Sequence, residues 1–187
     1  MSDTKVLSLD EFRRKRVADP SVDQSFNALF AQAREFRNIG PEMIPQEIAV
    51  MTPGGMKDWF QREIADEVFR RRLFQHCVLL SIGFVSSVLA SFASDCRDRS
   101  GVVEYLERFD GDEKPDTLLA AANTAFIMFV LWPEKRTRRS VQYRKFALDF
   151  GPSLYAMYAG HTRRDFGYHM ARAFEPLGDI ARERLGH

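Results

Sequence analysis

Residues 77–93 read CVLLSIGFVSSVLASFA, and residues 117–132 read TLLAAANTAFIMFVLW. Neither stretch contains a charged residue. A helix without charge over 16 or 17 residues has no polar face to present to water, so each stretch requires cover from its surroundings. The 23 residues that separate the stretches are ample for an antiparallel return. We therefore expect a central antiparallel hairpin of two very apolar helices, at about 76–94 and 117–132.

The remainder of the chain is typical of an all-α protein. Strand-type alternation is absent, and Ala, Leu, Arg and Glu are common. An apolar stripe formed by Phe26, Leu29, Phe30 and Ala33 predicts one of several amphipathic helices that pack around the hairpin. We interpret residues 1–187 as a single helical bundle, in which residues 1–53 form a looser N-terminal helical arm.

Helix boundaries follow from capping and breaking residues. A long helix is predicted from Met56, with Glu67 and Arg71, like Asp66 and Arg70, at the favourable i, i+4 spacing. Because proline interrupts helices, the C-terminal third is predicted in four pieces. These are a basic helix from about 135 to Phe150, then Ser153–Gly160, Thr162–Phe174 and a short helix after Pro176. The aromatic residues Tyr155, Tyr158, Phe166 and Phe174 are predicted to be core or partner surface.

Composition excludes several classes of protein. The chain has 27 basic and 26 acidic residues, a net charge of +1, so its overall charge does not draw it to nucleic acid or anionic lipid. Two cysteines are too few for a disulfide-rich secreted scaffold or a four-thiolate zinc site. The N-terminus has no apolar core of signal-peptide length. A cytoplasmic location is expected.

No catalytic or cofactor motif stands out, so we expect a non-enzymatic protein that holds no cofactor. Phosphate-binding glycine loops, paired-cysteine and HExxH metal motifs and the GxSxG elbow are missing. His161, Asp165 and His169 share a helix face, but the two histidines would lie about 12 Å apart along its axis. Asp165 and His169 remain the candidate metal ligands, and they would need ligands from elsewhere in the chain.

A basic segment raises the possibility of phosphate or nucleic-acid contact. Its candidate residues are Lys135, Arg136, Arg138, Arg139, Arg144 and Lys145, joined by Arg163 and Arg164 further along the chain. At 100° per residue the first six scatter around most of the helix, which is a poor arrangement for reading a groove. The pattern favours a solvated flank over nucleic-acid binding.

The apolar stretches Cys77–Ala93 and Thr117–Trp132 also sit at the lower length limit for a membrane span. Arg70–Arg72 and Lys135–Arg139 flank them, while eight acidic residues against four basic ones lie between them. Basic flanks on one side of a hairpin fit the positive-inside rule. The favoured prediction is nevertheless a cytoplasmic interaction, adaptor or assembly subunit that binds a protein partner or itself. The alternatives are an inner-membrane hairpin component with cytoplasmic ends and a nucleic-acid-binding regulator that uses residues 135–145.

Overall fold

A computed structural model of the chain describes residues 46–95, 114–131 and 138–186. At residues 49, 95, 138–143, 145 and 146 only the backbone is described. All regular structure in these ranges is α-helical, as predicted. The helices are α1 (Gln46–Ala49), α2 (Pro53–Arg70), α3 (His76–Asp95), α4 (Pro115–Leu131), α5 (Arg138–Thr162) and α6 (Phe166–Arg184). The predicted stripe at Phe26–Ala33, most of the N-terminal arm and Trp132 lie outside the described residues.

Helix α2 begins at Pro53, three residues before the predicted start at Met56. The Thr52 hydroxyl accepts a hydrogen bond from the backbone N–H of Gly55 at 3.2 Å, which caps the helix. Pro53 occupies the first helical position, where a missing N–H costs nothing. The Thr-Pro-Gly-Gly sequence that resembles a turn is therefore a capped helix start.

Two of the predicted helix breaks are wrong. Pro152 lies inside α5 and Pro176 inside α6. Thr162, predicted to begin a helix, is instead the last residue of α5 and donates its hydroxyl to the carbonyl of Tyr158 at 2.8 Å. Tertiary packing explains the continuity, because α5 and α6 bury long apolar faces against each other on both sides of each proline.

Helix α6 is the centre of the described bundle. It packs against α2, α3, α4 and α5. Its apolar face recurs every three or four residues and is fully buried at Met170, Phe174, Leu177 and Ile180. Glycines allow its neighbours to approach closely: a Cβ added to Gly167 would lie 2.4 Å from the carbonyl oxygen of Tyr155. An amphipathic helix, rather than an apolar hairpin, thus organises the core.

The predicted central hairpin is not confirmed. Helix α4 packs mainly against α5, and α3 packs mainly against α2 and α6, while the contact between α3 and α4 is small. A Cβ on Gly178 of α6 would lie 2.4 Å from the ring of Phe129, so this glycine gives α4 close access to α6. Each apolar helix therefore finds its cover in the amphipathic helices.

Aromatic side chains join α4, α5 and α6. The Phe174 ring lies 5.3 Å from Phe126, 5.6 Å from Phe129 and 6.2 Å from Tyr155, measured between ring centroids. The buried Tyr155 hydroxyl donates a hydrogen bond to Asn123 Oδ1 at 2.7 Å. Tyr155, Tyr158 and Phe174 are buried in the core, which confirms the first of the two predicted places for these three residues, whereas Phe166 is half-buried.

Candidate interaction surface

The described residues cover only one side of helix α3. Its inner side, which includes Val78, Val85 and Leu89, is buried against α2 and α6. Within the described ranges, one helical stretch is long and apolar enough to cross a membrane, His76–Ser94 in α3. Half of this stretch is buried inside the bundle. Pro115–Leu131 is a shorter apolar helix. Because α3 carries no charge from Cys77 to Ala93, its uncovered side is an uncharged surface.

We define the outer face of α3 as Leu80, Gly83, Ser87 and Ser91. These residues are exposed or half-buried, and their spacing places them within about 80° of one another around the helix axis. The Ser87 hydroxyl donates to the carbonyl of Gly83 at 2.8 Å, so its hydrogen-bonding need is met within the helix. A Cβ added to Gly83 would meet no atom within 4 Å. The outer face is small, uncharged and open in the described part of the chain.

The turn between α2 and α3 exposes aromatic and basic side chains. Helix α2 ends in a Schellman motif: Leu73 N–H bonds to the Val68 carbonyl at 3.0 Å, and Arg72 N–H to the Phe69 carbonyl at 3.1 Å. Arg72 holds the left-handed position of this motif, with φ 56°, where glycine is usual. The rings of Phe69 and Phe74 lie 5.6 Å apart and are more than half exposed.

A buried carboxylate anchors the end of α2 to the end of α6. The side chain of Glu67 is 2% exposed and accepts hydrogen bonds from Arg70, Arg71 and Arg184 at 2.6–2.8 Å. Arg71 also pairs with Glu183. Hydrogen bonds from Arg70 and Arg71 lower the pKa of Glu67 from 4.5 to about 2. The predicted Glu67–Arg71 pair is confirmed, whereas Arg70 bonds to Glu67 rather than to Asp66.

The first turns of α3 and α6 meet through two histidines. The rings of His76 and His169 lie 5.5 Å apart, nearly perpendicular. Phe84, two turns further along α3, lies 4.4 Å from Phe166, the first residue of α6, between ring centroids. Sequence spacing could not reveal the histidine pair, because the two residues are 93 positions apart and lie on different helices.

The candidate metal ligands gain no further partners from the described ranges. Asp165 is exposed at the N-terminus of α6, and His169 is half-buried beside His76. Among the described residues, no group of three or more His, Cys, Asp or Glu side chains is placed to hold a metal ion. Cys77 is a half-buried free thiol, and Cys96 lies outside the described ranges.

The basic residues proposed for nucleic-acid contact fall into two separate groups. Arg144 donates to Asp179 at 2.7 Å, and its guanidinium lies 5.1 Å from the centroid of the Phe129 ring. Arg163 and Arg164 are exposed after the opposite end of α5, about 28 Å from Arg144 along the helix axis. The backbone of Arg138, Arg139 and Lys145 lies in the first turns of α5, and Lys135 and Arg136 fall outside the described residues.

These surfaces have no counterpart from which a function could be transferred. No family model, curated protein or solved structure matches the chain. Its function is therefore inferred from its own residues, above all from the outer face of α3.

Proposed function

We propose that the protein is a non-enzymatic assembly subunit, in which the outer face of α3 binds a second copy of the same chain. One observation carries this proposal: α3, which carries no charged residue from Cys77 to Ala93, is only half covered by the described part of the bundle. Leaving that surface in water is unfavourable, because apolar burial is worth roughly 25 cal/mol per Å². A matching helix from another copy would supply the missing cover.

The chemistry of the outer face supports a symmetric contact. Gly83, Ser87 and Ser91 repeat at intervals of four residues, the spacing that allows two helices to approach closely. Because the Ser87 hydroxyl is already bonded to the Gly83 carbonyl, burial would leave no donor of Ser87 unpaired. An uncharged face opposes no like charge when two copies meet around a two-fold axis.

Disulfide cross-linking tests this contact directly. Gly83→Cys is introduced into a full-length background that carries Cys77→Ser and Cys96→Ser. The new side chain fits the described bundle, because a Cβ at Gly83 meets no atom within 4 Å. A disulfide requires Cα atoms within about 7 Å, so rapid formation of a covalent dimer under mild oxidation is expected.

Gly160→Cys in the same background is the matched control. Gly160 is exposed near the end of α5, a different helix from the one that carries the outer face. We expect the Gly160→Cys protein to remain monomeric on denaturing gels. Equal cross-linking at the two positions, or none at Gly83, would contradict self-assembly through this face. A different protein would then be the expected partner.

An inner-membrane component with cytoplasmic ends is the second candidate, since α3 is long and apolar enough to span a bilayer. The burial of α4 supports the cytoplasmic location that we propose: every residue from Thr124 to Leu131 is buried, so lipid is not needed to cover them.

Cell fractionation separates the two candidates. Monodisperse protein in the cytosol without detergent is expected. Recovery in a membrane pellet that resists high salt and carbonate would establish the membrane alternative instead.

Nucleic-acid regulation through residues 135–145 is the third candidate, and it has less support. The described geometry commits Arg144 to Asp179 and Phe129. Phosphate contacts impose a steep dependence of affinity on salt. Binding of the purified protein to duplex DNA or RNA that weakens steeply with salt would favour this regulator.

A further inference from the structure

His76 and His169 form a pair of imidazole rings that joins two helices. His76 is the first residue of α3, and His169 lies in the first turn of α6. Their ring centroids are 5.5 Å apart and their planes are inclined by 82°. This pair differs from the combination of Asp165 and His169 that the sequence suggests, because it forms only when α3 packs against α6. Two nitrogen ligands from separate helices are thereby brought together.

The separation of the two rings suits a metal ion held between them. A metal–nitrogen bond of about 2.0–2.1 Å places the centre of a bound imidazole about 3.2 Å from the ion. Two imidazoles at a tetrahedral angle of about 109° on one ion then have centres about 5.2 Å apart. The observed 5.5 Å is close to this value. Rotation of each ring about its Cβ–Cγ bond selects the nitrogen that faces the neighbouring ring.

Helix packing holds the two histidines in place and leaves them accessible. The backbone N–H of His169 bonds to the Asp165 carbonyl at 3.1 Å, so His169 is part of a hydrogen-bonded turn. Phe84 and Phe166 make a second contact between the same two helices, with ring centroids 4.4 Å apart. His76 is exposed and His169 is half-buried. An ion from solution can therefore reach two ligands that are already positioned on rigid elements.

We propose that His76 and His169 bind a divalent transition-metal ion such as Zn²⁺. Imidazole is an ordinary ligand for zinc, copper and nickel, whereas magnesium prefers oxygen. Among the described residues, no group of three or more potential ligands surrounds such an ion, so water would fill its remaining positions and binding would be reversible. The ion would link the start of α3 to α6. This site goes beyond the assembly function and requires one copy of the chain.

Calorimetric titration of the untagged full-length protein with Zn²⁺ tests the proposal. The protein carries Cys77→Ser and Cys96→Ser, so that thiols do not bind the ion. We expect saturable binding of Zn²⁺ and none of Mg²⁺. His76→Ala and His169→Ala should each weaken Zn²⁺ binding by about tenfold or more, since even loss of a group that supports a ligand has an effect of this size. Zn²⁺ should also raise the thermal unfolding temperature of the parent protein, because it binds the folded state.

His161→Ala is the matched control, because it removes an exposed histidine near the end of α5. Its Zn²⁺ affinity should stay within about twofold of the parent value. Without metal, His76→Ala should unfold at the parent urea midpoint, since His76 is exposed. Gly83→Trp, which alters the outer face of α3, should retain the affinity, so failure of assembly and failure of this site are distinguishable. Three outcomes would overturn the proposal: no saturable Zn²⁺ binding, an equal loss in His161→Ala, or loss of binding in Gly83→Trp.

Discussion

Replacing Phe174 with alanine should lower the free energy of unfolding by about 3–5 kcal/mol, measured by urea denaturation. Phe174 is fully buried in α6, and its ring contacts those of Phe126 and Phe129 from α4 and Tyr155 from α5. The substitution would leave a cavity where α4, α5 and α6 meet. The surrounding side chains would relax into this cavity only in part, so most of the packing lost with the Phe174 ring would not be regained.

Phe69→Ala is the matched control for this cavity, because Phe69 is 60% exposed. It should change the free energy of unfolding by less than about 1 kcal/mol. Equal effects of the two substitutions would contradict the central position of α6. The same would follow if Phe174→Ala unfolded at the urea concentration of the wild type.

Replacing Glu67 with glutamine should cost about 2–3 kcal/mol, because charge-assisted hydrogen bonds to a buried carboxylate are lost while the arginine partners remain in contact with water. Arg70, Arg71 and Arg184 all donate to the Glu67 carboxylate, and a neutral amide would face the same three guanidinium groups. The connection between the end of α2 and the end of α6 would weaken most. Asp66→Asn removes an exposed neighbouring carboxylate and should have little effect on the urea midpoint.

Glu67 also predicts how stability depends on acid. Its pKa is about 2 in the folded protein and about 4.5 as the ordinary value, so the unfolded chain takes up the proton first as the pH falls. The contribution of Glu67 is therefore complete above pH 4.5 and is lost progressively towards pH 2. The Glu67→Gln protein should show a shallower loss of stability over this interval than the wild type. Parallel pH profiles would contradict the bonded state of this carboxylate.

Helix content was predictable from the sequence, whereas helix continuity was not. The apolar stretch at 77–93 has no helix-breaking residue pattern and no charge, so a helix is expected there, and α3 matches the predicted bounds to within one residue. Pro152 and Pro176 are strong local breakers, yet the long faces that α5 and α6 bury against each other exceed the cost of each proline. The rule that proline breaks helices is local, so it cannot predict the stabilisation that tertiary packing provides.

The arrangement of the helices was the main feature that the sequence did not reveal. The hairpin prediction packs the two most apolar helices against each other. It does not take into account that one amphipathic helix can cover several neighbouring helices at once. The signal that could have identified α6 was present, since Met170, Phe174 and Leu177 form one stripe between Gly167 and Gly178. Gly167 and Gly178 lie where α6 comes close to α5 and α4. The sequence alone does not show which helices these glycines face.

The candidate interaction surface was partly predictable. The small residues Ser86 and Ser87 of α3 indicate close helix packing, and the predicted hairpin would place them against Ala120–Ala122 of α4. The structure buries Ser86 inside the bundle and leaves Ser87 on the outer face. Adjacent serines point in different directions on a helix, so only the positions of α2 and α6 decide which one is available to a partner. The histidine pair likewise depends on a tertiary contact.

Assembly of two copies through the outer face of α3 can be measured by sedimentation velocity of the full-length protein. The wild type should sediment as a dimer of about twice the 21.6 kDa chain mass. Gly83→Trp should sediment as a monomer, because the indole would occupy the space between the two helices. Gly54→Trp, at an exposed glycine whose added Cβ also meets no atom within 4 Å, should remain a dimer. A monomeric wild type at tens of micromolar protein, or a Gly83→Trp protein that remains dimeric, would contradict assembly through this face.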